Sequence, residues 1–273
     1  KGFSFGEFKP EFPGVAEPRT GKSMGESCED MAKQWQIRRE DQDLLAYESH
    51  QKAAAAYARG FYSDLVMPLR GLDKDNILRP DTTLEKLATL KPAFDKRSGN
   101  GTLTAGNSTN LSDGASAALL SSEAWAQANG KEIQAYLVDA QVAAVDFVAG
   151  EGLLMAPAWA VAQLLKRNNL KLQDFDFYEI HEAFAAQVLC TLKAWESEEF
   201  CKTKLGMDGA LGSIDRSKLN VVGSSLALGH PFAATGARIV ATAAKLLKEK
   251  GQGRVLISIC TAGGMGVAAI VER

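Results

Sequence analysis

The chain has 273 residues, of which 46% are hydrophobic and 23% charged, the usual balance of a globular protein with one large domain or two of ordinary size. Its formal net charge of −2 argues against the strongly basic surface of a nucleic-acid-binding protein. No run approaches the roughly 18 apolar residues of a transmembrane helix, so no membrane span is expected.

The N-terminal third of the chain is predicted to hold an extended arm, two helices and a long loop. Residues 1–22 are rich in Gly, Pro and Phe, which is typical of an arm, and no signal-peptide pattern follows Lys1, so we expect a start within a domain. Ser23-Met-Gly-Glu26 has the spacing of a capping box. The helices and the loop are predicted at 23–35, 42–61 and 63–101.

From residue 102 onward, predicted strands and helices alternate. Apolar runs bounded by turn residues predict strands at 102–107, 115–121, 136–145, 175–180, 220–225, 254–260 and 267–272. Helical periodicity predicts helices at 123–130, 156–168, 183–195 and 235–250. This alternation is typical of a layered α/β domain with a mixed sheet.

The four cysteines and three histidines show neither a disulfide framework nor a metal-binding pattern. No two cysteines have Cys-x-x-Cys spacing, and no histidine forms a short cluster with them. We therefore expect free thiols in a reducing compartment and no metal site.

Three residues at strand ends are candidates for chemistry. His230 lies in a Gly-His-Pro turn between a predicted strand and a predicted helix, where open α/β sheets place side chains that handle ligands. Cys260 ends a strand and precedes glycines that leave backbone N–H groups free to hold an oxyanion. His181 stands at a strand-to-helix junction, and a helix N-terminus tends to keep a histidine neutral.

Each of these residues also has an ordinary structural explanation. His230 could complete a turn, Cys260 could be a buried strand cysteine, and His181 could cap a helix. However, strand ends at one edge of a sheet converge in space, and these three residues follow three strands of one α/β unit. As a set they predict a reactive site.

Five segments of the chain resemble thiolases, which are CoA-dependent acyltransferases, over essentially the whole length. The C-terminal domain of that family is resembled by His181-Glu-Ala-Phe184, Gly229-His-Pro231 and Cys260-Thr-Ala-Gly-Gly-Met-Gly266. Thr104-Ala-Gly-Asn-Ser-Thr-Asn-Leu-Ser-Asp-Gly114 resembles the segment that lines the pantetheine path. Met24-Gly25 with Glu29 resembles the entry to the family's loop domain.

The resemblance implies a thiolase-like layered α/β/α fold with a mixed five-stranded sheet, present as one complete half plus the loop domain. It implies three parts. Residues 1–101 would be the arm and loop domain of the N-terminal half. Residues 102–130 would be the last strands of that half, and residues 131–273 the C-terminal domain.

The resemblance also implies a role for each candidate residue. His230 would activate a nucleophilic cysteine, and Cys260 would protonate the departing acetyl-CoA carbanion and later deprotonate CoA. His181 would occupy the place of the Asn that holds a water in the first oxyanion hole of most thiolases. The second oxyanion hole, the pantetheine contact and the wall of the acyl pocket are implied at Ala262, Thr109 and Phe184.

The His-Glu-Ala-Phe form resembles the branch that contains the β-subunit of the trifunctional complex of fatty-acid oxidation. It implies thiolytic cleavage of 3-ketoacyl-CoA to acetyl-CoA and a shortened acyl-CoA, with CoA as substrate and no permanently bound cofactor. The alternatives are condensation by an acetyl-CoA C-acetyltransferase and a non-catalytic acyl-CoA-binding subunit. A ketosynthase-type condensing enzyme shares the fold, but a second cysteine at Cys260 favours a thiolase.

For the assembled protein we expect a homo-oligomer, a dimer or a tetramer, in the bacterial cytoplasm. A hydratase/dehydrogenase subunit is a further candidate partner, and a mitochondrial location is the alternative. No nucleic-acid partner is expected.

The family's nucleophile, a cysteine at the N-terminus of a buried helix in a Cys-x-Ser-Gly-like setting, has no counterpart in these residues. Cys28 lies near the N-terminus of a predicted helix, which would lower its pKa, but it falls within the loop-domain match. We therefore expect this chain to be the C-terminal portion of a thiolase, inactive and poorly soluble by itself.

Overall fold

The structure is a computed structural model that describes residues 14–273. Nine α-helices occur in these residues: α1 (Met24–Gln34), α2 (Arg39–Ala58), α3 (Leu84–Ala88), α4 (Glu123–Ala128), α5 (Ala156–Asn168), α6 (Ala185–Glu196), α7 (Glu198–Thr203), α8 (Ser225–Leu228) and α9 (Thr235–Lys250). The strands in the same part are β1 (Tyr136–Ala144), β2 (Phe177–Ile180), β3 (Arg254–Thr261) and β4 (Met265–Glu272).

The strands of the described residues form one mixed sheet in the order β1-β4-β3-β2. Strand β4 is antiparallel to β1 and to β3, whereas β2 is parallel to β3. Because β2 and β3 are parallel, their carboxyl ends lie at the same edge of the sheet. Ile180 and Cys260 are both at that edge, where Ile180 pairs with Ser258.

The two faces of the sheet are covered by different helices. On β3, Val255 and Ile257 pack in a cluster with Ile239 of α9. Leu256 and Cys260 belong to a larger cluster with residues of α1, α5 and α6. This alternation follows from the two-residue period of a strand, and it places the Cys260 thiol on the side of α1, α5 and α6.

Several predicted helices are confirmed, two of them with the predicted bounds. Helices α5 and α9 span 156–168 and 235–250 as expected. Helix α1 begins with the predicted capping box, in which Ser23 Oγ accepts from the Glu26 N–H and the Glu26 carboxylate accepts from the Ser23 N–H. Amphipathic periodicity identifies α5 and α9 from local sequence alone, and the capping box marks the start of α1.

The sheet has four strands within the described residues, one fewer than predicted, and the predicted strand at 220–225 is wrong. Asn220 adopts a φ of 45°, the left-handed region that Asn tolerates, and this turns the chain out of the sheet. Leu219 keeps only one parallel bridge to Tyr178. The remainder of the segment is a turn and the start of α8.

The strands predicted at 102–107 and 115–121 are also wrong. Asn107 accepts a hydrogen bond from the Thr104 N–H through its side chain at 2.7 Å, which closes a local turn in place of a ladder. Leu119 and Leu120 are 73% and 66% exposed, and no strand of residues 14–273 lies beside them. Of the arm predicted at 1–22, residues 1–13 lie outside the described residues.

The buried carboxylate of Glu29 joins α1 to the segment after the long loop. It accepts hydrogen bonds from the Thr102 N–H, the Thr102 hydroxyl and the Leu103 N–H at 2.8, 2.8 and 2.9 Å. In Glu29→Gln one acceptor becomes an amide donor that faces another donor. We expect the free energy of unfolding in urea to fall by about 2–3 kcal/mol.

The matched control for this prediction is Glu40→Gln, because Glu40 is an exposed residue of the neighbouring helix α2. It should change the free energy of unfolding by no more than about 0.5 kcal/mol. Equal effects of the two substitutions would show that the Glu29 carboxylate does not join these segments.

Candidate active site

His181 follows β2 and is held by the neighbouring strand. Its N–H donates to the Ser258 carbonyl of β3 at 2.9 Å, and the residue is only 1% exposed. Helix α6 begins four residues later, at Ala185, so His181 stands before the helix and not in its first turn.

His230 follows α8 and its ring lies against that of His181. The ring centroids are 4.2 Å apart and the ring planes are inclined by 46°. Gly229, with a φ of 83°, makes the turn, and a Cβ there would lie 2.5 Å from Ser112 Oγ. The His230 N–H donates to the Asn110 carbonyl at 3.1 Å, which fixes the turn against the segment 107–111.

The hydrogen bonds of His230 define which of its nitrogens carries the proton. Its Nδ1 lies 2.6 Å from Thr235 Oγ1, and the Thr235 hydroxyl donates to the Pro231 carbonyl at 3.1 Å. Both contacts are satisfied together only when Nδ1 carries the proton and donates to Thr235. The lone pair of Nε2 is then available to accept a proton.

Both histidines are neutral near pH 7. Burial first, and then the nearby His230 and Arg238, hold the pKa of His181 well below its usual value. Burial and Arg238 lower the pKa of His230 as well. The neutral state predicted for His181 therefore has burial as its main cause, and not the helix N-terminus.

Cys260 lies near the carboxyl end of β3, opposite Gly266 of β4. It is 4% exposed and shares an apolar cluster with Cys28 and Phe184. Burial raises the pKa of the Cys260 thiol to about 12, so the sulfur is protonated at neutral pH. A protonated thiol at this position can donate a proton to a carbanion.

Ala262 follows β3 at the same edge, in the short 3-10 turn Ala262–Gly264. Gly263 and Gly264 both have a φ of 74°, and a Cβ on Gly264 would lie 2.8 Å from the Val145 carbonyl. The turn therefore depends on glycine, and it leaves Ala262 exposed at the sheet edge.

Thr109 and Phe184 meet where the segment 107–111 crosses the junction of β2 and α6. The Thr109 N–H donates to the Ala183 carbonyl at 3.0 Å, and its hydroxyl donates to the Ser225 carbonyl at 2.7 Å. Phe184 is buried and packs edge-on against Phe94, with ring centroids 5.7 Å apart. Thr109 is thus bonded to Ser225, which contacts His181, and Phe184 lies three residues after His181 in the same β2–α6 junction.

A buried polar network that sequence reasoning missed supports the site. The Glu182 carboxylate accepts from the Ser49 hydroxyl, the Asn220 amide and the Leu226 N–H at 2.7, 2.7 and 3.1 Å. Burial raises the pKa of Glu182 despite these donors. The network ties the β2–α6 junction to α2 and α8, and so fixes where His181 and His230 meet.

Ser225 and Arg238, which the sequence did not single out, support His181. Ser225 contacts the His181 ring, and Arg238 contacts Ser225. Ser225 Oγ lies 2.7 Å from His181 Nδ1, and Arg238 Nη2 donates to the same oxygen at 2.9 Å. The Nε2 atom of His181 is buried and has no hydrogen-bond partner among the described residues. The only sequence signal was the position of Ser225 and Arg238 on either side of the Gly-His-Pro turn.

The other cysteines do not have the properties of an activated nucleophile. All four cysteines, which lie in the described part of the chain, are unpaired and buried. Burial raises the pKa of Cys28 well above its usual value, with Cys190 and Cys260 adding to the rise. The possibility that Cys28 is the nucleophile therefore has no support in the structure.

A separate cleft of about 640 Å³ lies between the start of α1 and residues 93–97. Its lining contains both positive and negative side chains, including Lys22, Lys33, Asp30 and Asp95. The histidines and Cys260 are not part of this cleft.

Within residues 14–273, no group of three or more His, Cys, Asp or Glu side chains is arranged to hold a metal ion. None of the helices described there is long and apolar enough to cross a membrane.

The chain belongs to the thiolase family. Residues 131–273 match the thiolase C-terminal domain and residues 8–124 match the thiolase N-terminal domain. The fold, a mixed sheet between helices with reactive side chains at its edge, agrees with this membership. The predicted family and α/β fold class are confirmed.

Among curated relatives, the 3-ketoacyl-CoA thiolases of Shewanella baltica and Shewanella loihica are 46% and 45% identical over 269 residues. The alignments cover 96% of this chain, which spans about 61% of the length of these relatives.

Two solved structures share the fold at comparable coverage. An acetyl-CoA acetyltransferase of Bacillus anthracis superposes with a TM-score of 0.78 at 37% identity, over 94% of this chain and 62% of that one. The Acat5 thiolase of Ascaris suum, solved in complex with coenzyme A, has a TM-score of 0.79 at 31% identity, over 96% and 63%.

Proposed function

We propose that this chain supplies the acid–base half of a thiolase that cleaves 3-ketoacyl-CoA with CoA, giving acetyl-CoA and a shortened acyl-CoA. The observation that carries the proposal is the contact of two neutral histidine rings, 4.2 Å apart, at the sheet edge that also holds a buried, protonated cysteine. The names of the Shewanella relatives support 3-ketoacyl-CoA as the substrate class.

In the proposed reaction His230 acts first, as a base. Its Nε2 takes the proton of a nucleophilic thiol, and the thiolate attacks the 3-keto carbon of the substrate. The bond between C2 and C3 then breaks, and its electron pair remains on C2 as the enolate of acetyl-CoA. The acyl group stays on the nucleophile as a thioester.

Cys260 acts next, as an acid and then as a base. The protonated thiol, whose pKa burial raises to about 12, donates its proton to C2, and acetyl-CoA leaves. The resulting thiolate takes the proton of an incoming CoA thiol, which attacks the thioester. The shortened acyl-CoA departs as the nucleophile leaves as a thiolate, and protonated His230 returns its proton to that sulfur. Cys260, which has taken the CoA proton, His230 and the nucleophile are then all in their starting states.

Stabilisation of the oxyanions falls to donors at the same edge. His181 stabilises the first oxyanion, which forms on the 3-keto oxygen, directly or through a water. The Ala262 N–H stabilises the second, which forms on the thioester oxygen. Each such donor contributes about 3 kcal/mol to catalysis. Thr109 would contact the pantetheine arm and Phe184 the acyl chain. CoA is a substrate in this scheme, and no permanently bound cofactor is required.

The nucleophile is proposed to come from outside these residues, because burial raises the pKa of the Cys28 and Cys190 thiols and the Cys201 thiol contacts the Ala194 and Trp195 carbonyls. The assembled enzyme is proposed to be a homo-oligomer in the bacterial cytoplasm, working in fatty-acid β-oxidation, with a hydratase/dehydrogenase subunit as a candidate partner. The bacterial origin of the Shewanella relatives supports the location.

The proposal predicts that thiolysis depends on residues upstream of this chain. The loss of 3-ketoacyl-CoA absorbance measures cleavage by CoA. No cleavage should be detected for the 273 residues alone. It should appear when the chain is extended to the length of its relatives. CoA binding without turnover in the extended protein would favour the non-catalytic subunit, and turnover by the short chain would return Cys28 to consideration.

A further inference from the structure

We infer that Ser225 and Arg238 are positioning residues that hold neutral His181 with its proton on Nε2, which makes the ring a hydrogen-bond donor toward the site. The tautomer follows from the hydrogen-bond geometry alone. The use of that donor in catalysis rests on the proposed function.

The argument begins with the fixed donor in this chain of contacts. A guanidinium only donates, so Arg238 Nη2, at 2.9 Å, must donate to Ser225 Oγ. Ser225 is fully buried, and no water from bulk solvent is needed to explain its contacts. One lone pair of its oxygen is therefore occupied by Arg238.

The hydroxyl hydrogen of Ser225 then has one acceptor. The only other side-chain or backbone contact of Ser225 Oγ within the described residues is His181 Nδ1 at 2.7 Å. If Ser225 donates there, Nδ1 carries a lone pair, and a neutral imidazole must carry its proton on Nε2.

The opposite tautomer leaves more buried polar groups without partners. With the proton on Nδ1, Ser225 Oγ would accept from both neighbours and its own hydrogen would have no acceptor. The bare Nε2 lone pair of His181 would also lack a donor. With the proton on Nε2, only the Nε2–H lacks a partner, so fewer buried groups are unsatisfied.

The positive charge of Arg238 also keeps the His181 ring neutral. Arg238 is one of the groups that lower the pKa of His181, after burial and His230. A second proton on the ring would have to displace the Ser225 hydrogen from Nδ1 while adding charge beside a guanidinium. The same two residues thus select both the charge and the tautomer of His181.

The two histidines consequently present opposite chemistry to the space between them. His230 has its proton on Nδ1, directed to Thr235, and offers a lone pair at Nε2. His181 offers an N–H at Nε2, which is the one buried ring atom without a partner in the described chain. A base and a donor therefore stand side by side, with ring centroids 4.2 Å apart.

Nitrogen NMR of the ¹⁵N-histidine-labelled protein tests the tautomers directly. The chain has only three histidines, so His50→Gln and His230→Gln are enough to assign the signals. We expect His181 to show a protonated Nε2 and an unprotonated Nδ1 near pH 7, and His230 to show the reverse. A protonated Nδ1 on His181 would overturn the inference without any activity measurement.

Substitutions at Ser225 test whether this residue selects the tautomer. Ser225→Ala should give His181 a mixture of tautomers, and Ser225→Thr, which keeps the hydroxyl, should restore the protonated Nε2. Ser217→Ala, at an exposed serine, is the matched control and should leave the spectrum unchanged. An unchanged His181 signal in folded Ser225→Ala would contradict the role of Ser225.

Kinetics of the extended, active protein test the catalytic use of the donor. Ser225→Ala should lower kcat for thiolysis by about 10-fold to 100-fold with little change in KM, and Ser225→Thr should recover most of the loss. Wild-type kcat in Ser225→Ala, together with a mixed tautomer, would refute the positioning role while leaving the proposed function intact. Absence of thiolysis in every variant would refute the proposed function, and the NMR result would still decide the tautomer.

Discussion

Replacing Cys260 by alanine is expected to lower kcat for thiolysis by about 10²–10⁴-fold in the protein extended to the length of its relatives. The protonated Cys260 thiol is proposed to donate to the carbanion and then to accept from CoA, so its loss affects both half-reactions. KM should change little, because the substrate contacts proposed for Thr109 and Phe184 remain. Steady-state kinetics with a 3-ketoacyl-CoA and CoA measure both quantities.

Isotope exchange separates the role of Cys260 from a general loss of structure. By microscopic reversibility, the group that protonates C2 of acetyl-CoA also removes its protons, so the wild-type protein should exchange deuterium into the acetyl methyl group. Cys260→Ala should lose this exchange to a similar extent as kcat. Retained exchange in the variant would assign the proton transfer to another residue.

The matched control for Cys260 is another buried cysteine that the proposed reaction does not use. Cys201 lies in α7, and its thiol contacts the Ala194 and Trp195 carbonyls at 3.5 and 3.4 Å. Cys201→Ala should keep kcat within about twofold of the wild type, since the loss of a buried thiol that takes no part in the reaction lowers stability and not the rate of the chemical step. A loss equal to that of Cys260→Ala would indicate a structural effect common to buried cysteines.

The sequence was sufficient for six of the nine helices and for all four strands of the sheet in residues 14–273, but it missed the short helices α3, α7 and α8. Helices α5 and α9 could be predicted because their periodicity is strong and their ends carry recognisable stop residues. Strand β3 could be predicted from its run of branched apolar residues before a glycine turn. These signals are local, and they do not depend on which other elements pack nearby.

The fifth predicted strand failed for a reason that is not local. Residues 220–225 include two valines, which favour a strand, but Asn220 bonds through its side chain to both the N–H and the carbonyl of Ile180 at 2.9 Å. Those contacts join a turn to β2 across 40 residues. A tertiary partner overrides strand propensity here, and propensity cannot reveal it.

The candidate site was predictable only as far as its reactive residues. His181, His230 and Cys260 stand in motifs, so they could be selected as candidates. The two histidine rings do lie together, but His230 follows α8 and not the strand that was predicted before it. The residues that set their chemistry could not be predicted. Ser225 of α8 and Arg238 of α9 come within hydrogen-bond distance only in the folded protein. The identity of a residue tells nothing about the hydrogen-bond partner that tertiary structure gives it.

The pH dependence of stability is expected to change most with Glu179→Gln. Glu179 lies fully buried on β2, and neither carboxylate oxygen has a hydrogen-bond partner within residues 14–273. Burial raises its pKa from 4.5 to about 8; the Glu182 carboxyl adds to the rise, while Arg238 and Lys52 oppose it. The folded protein therefore holds a proton here that the unfolded chain releases.

The sign of the effect follows from linkage. Because the pKa is higher in the folded state, the contribution to stability is fully present below about pH 4.5 and is lost as the pH rises through about 8. The rise corresponds to about 5 kcal/mol over the whole range. Wild-type unfolding in urea should therefore become easier by a few kcal/mol between about pH 5 and about pH 8.5.

Glutamine is the neutral isostere of the protonated side chain, so Glu179→Gln should lack this contribution and show a flatter stability curve. The variant and the wild type should be similar near pH 5, and the variant should be the more stable near pH 8.5. Glu196→Gln, at an exposed glutamate of α6, should leave the wild-type slope unchanged. Parallel curves for Glu179→Gln and the wild type would mean that Glu179 has no raised pKa and is ionised in the folded protein at neutral pH.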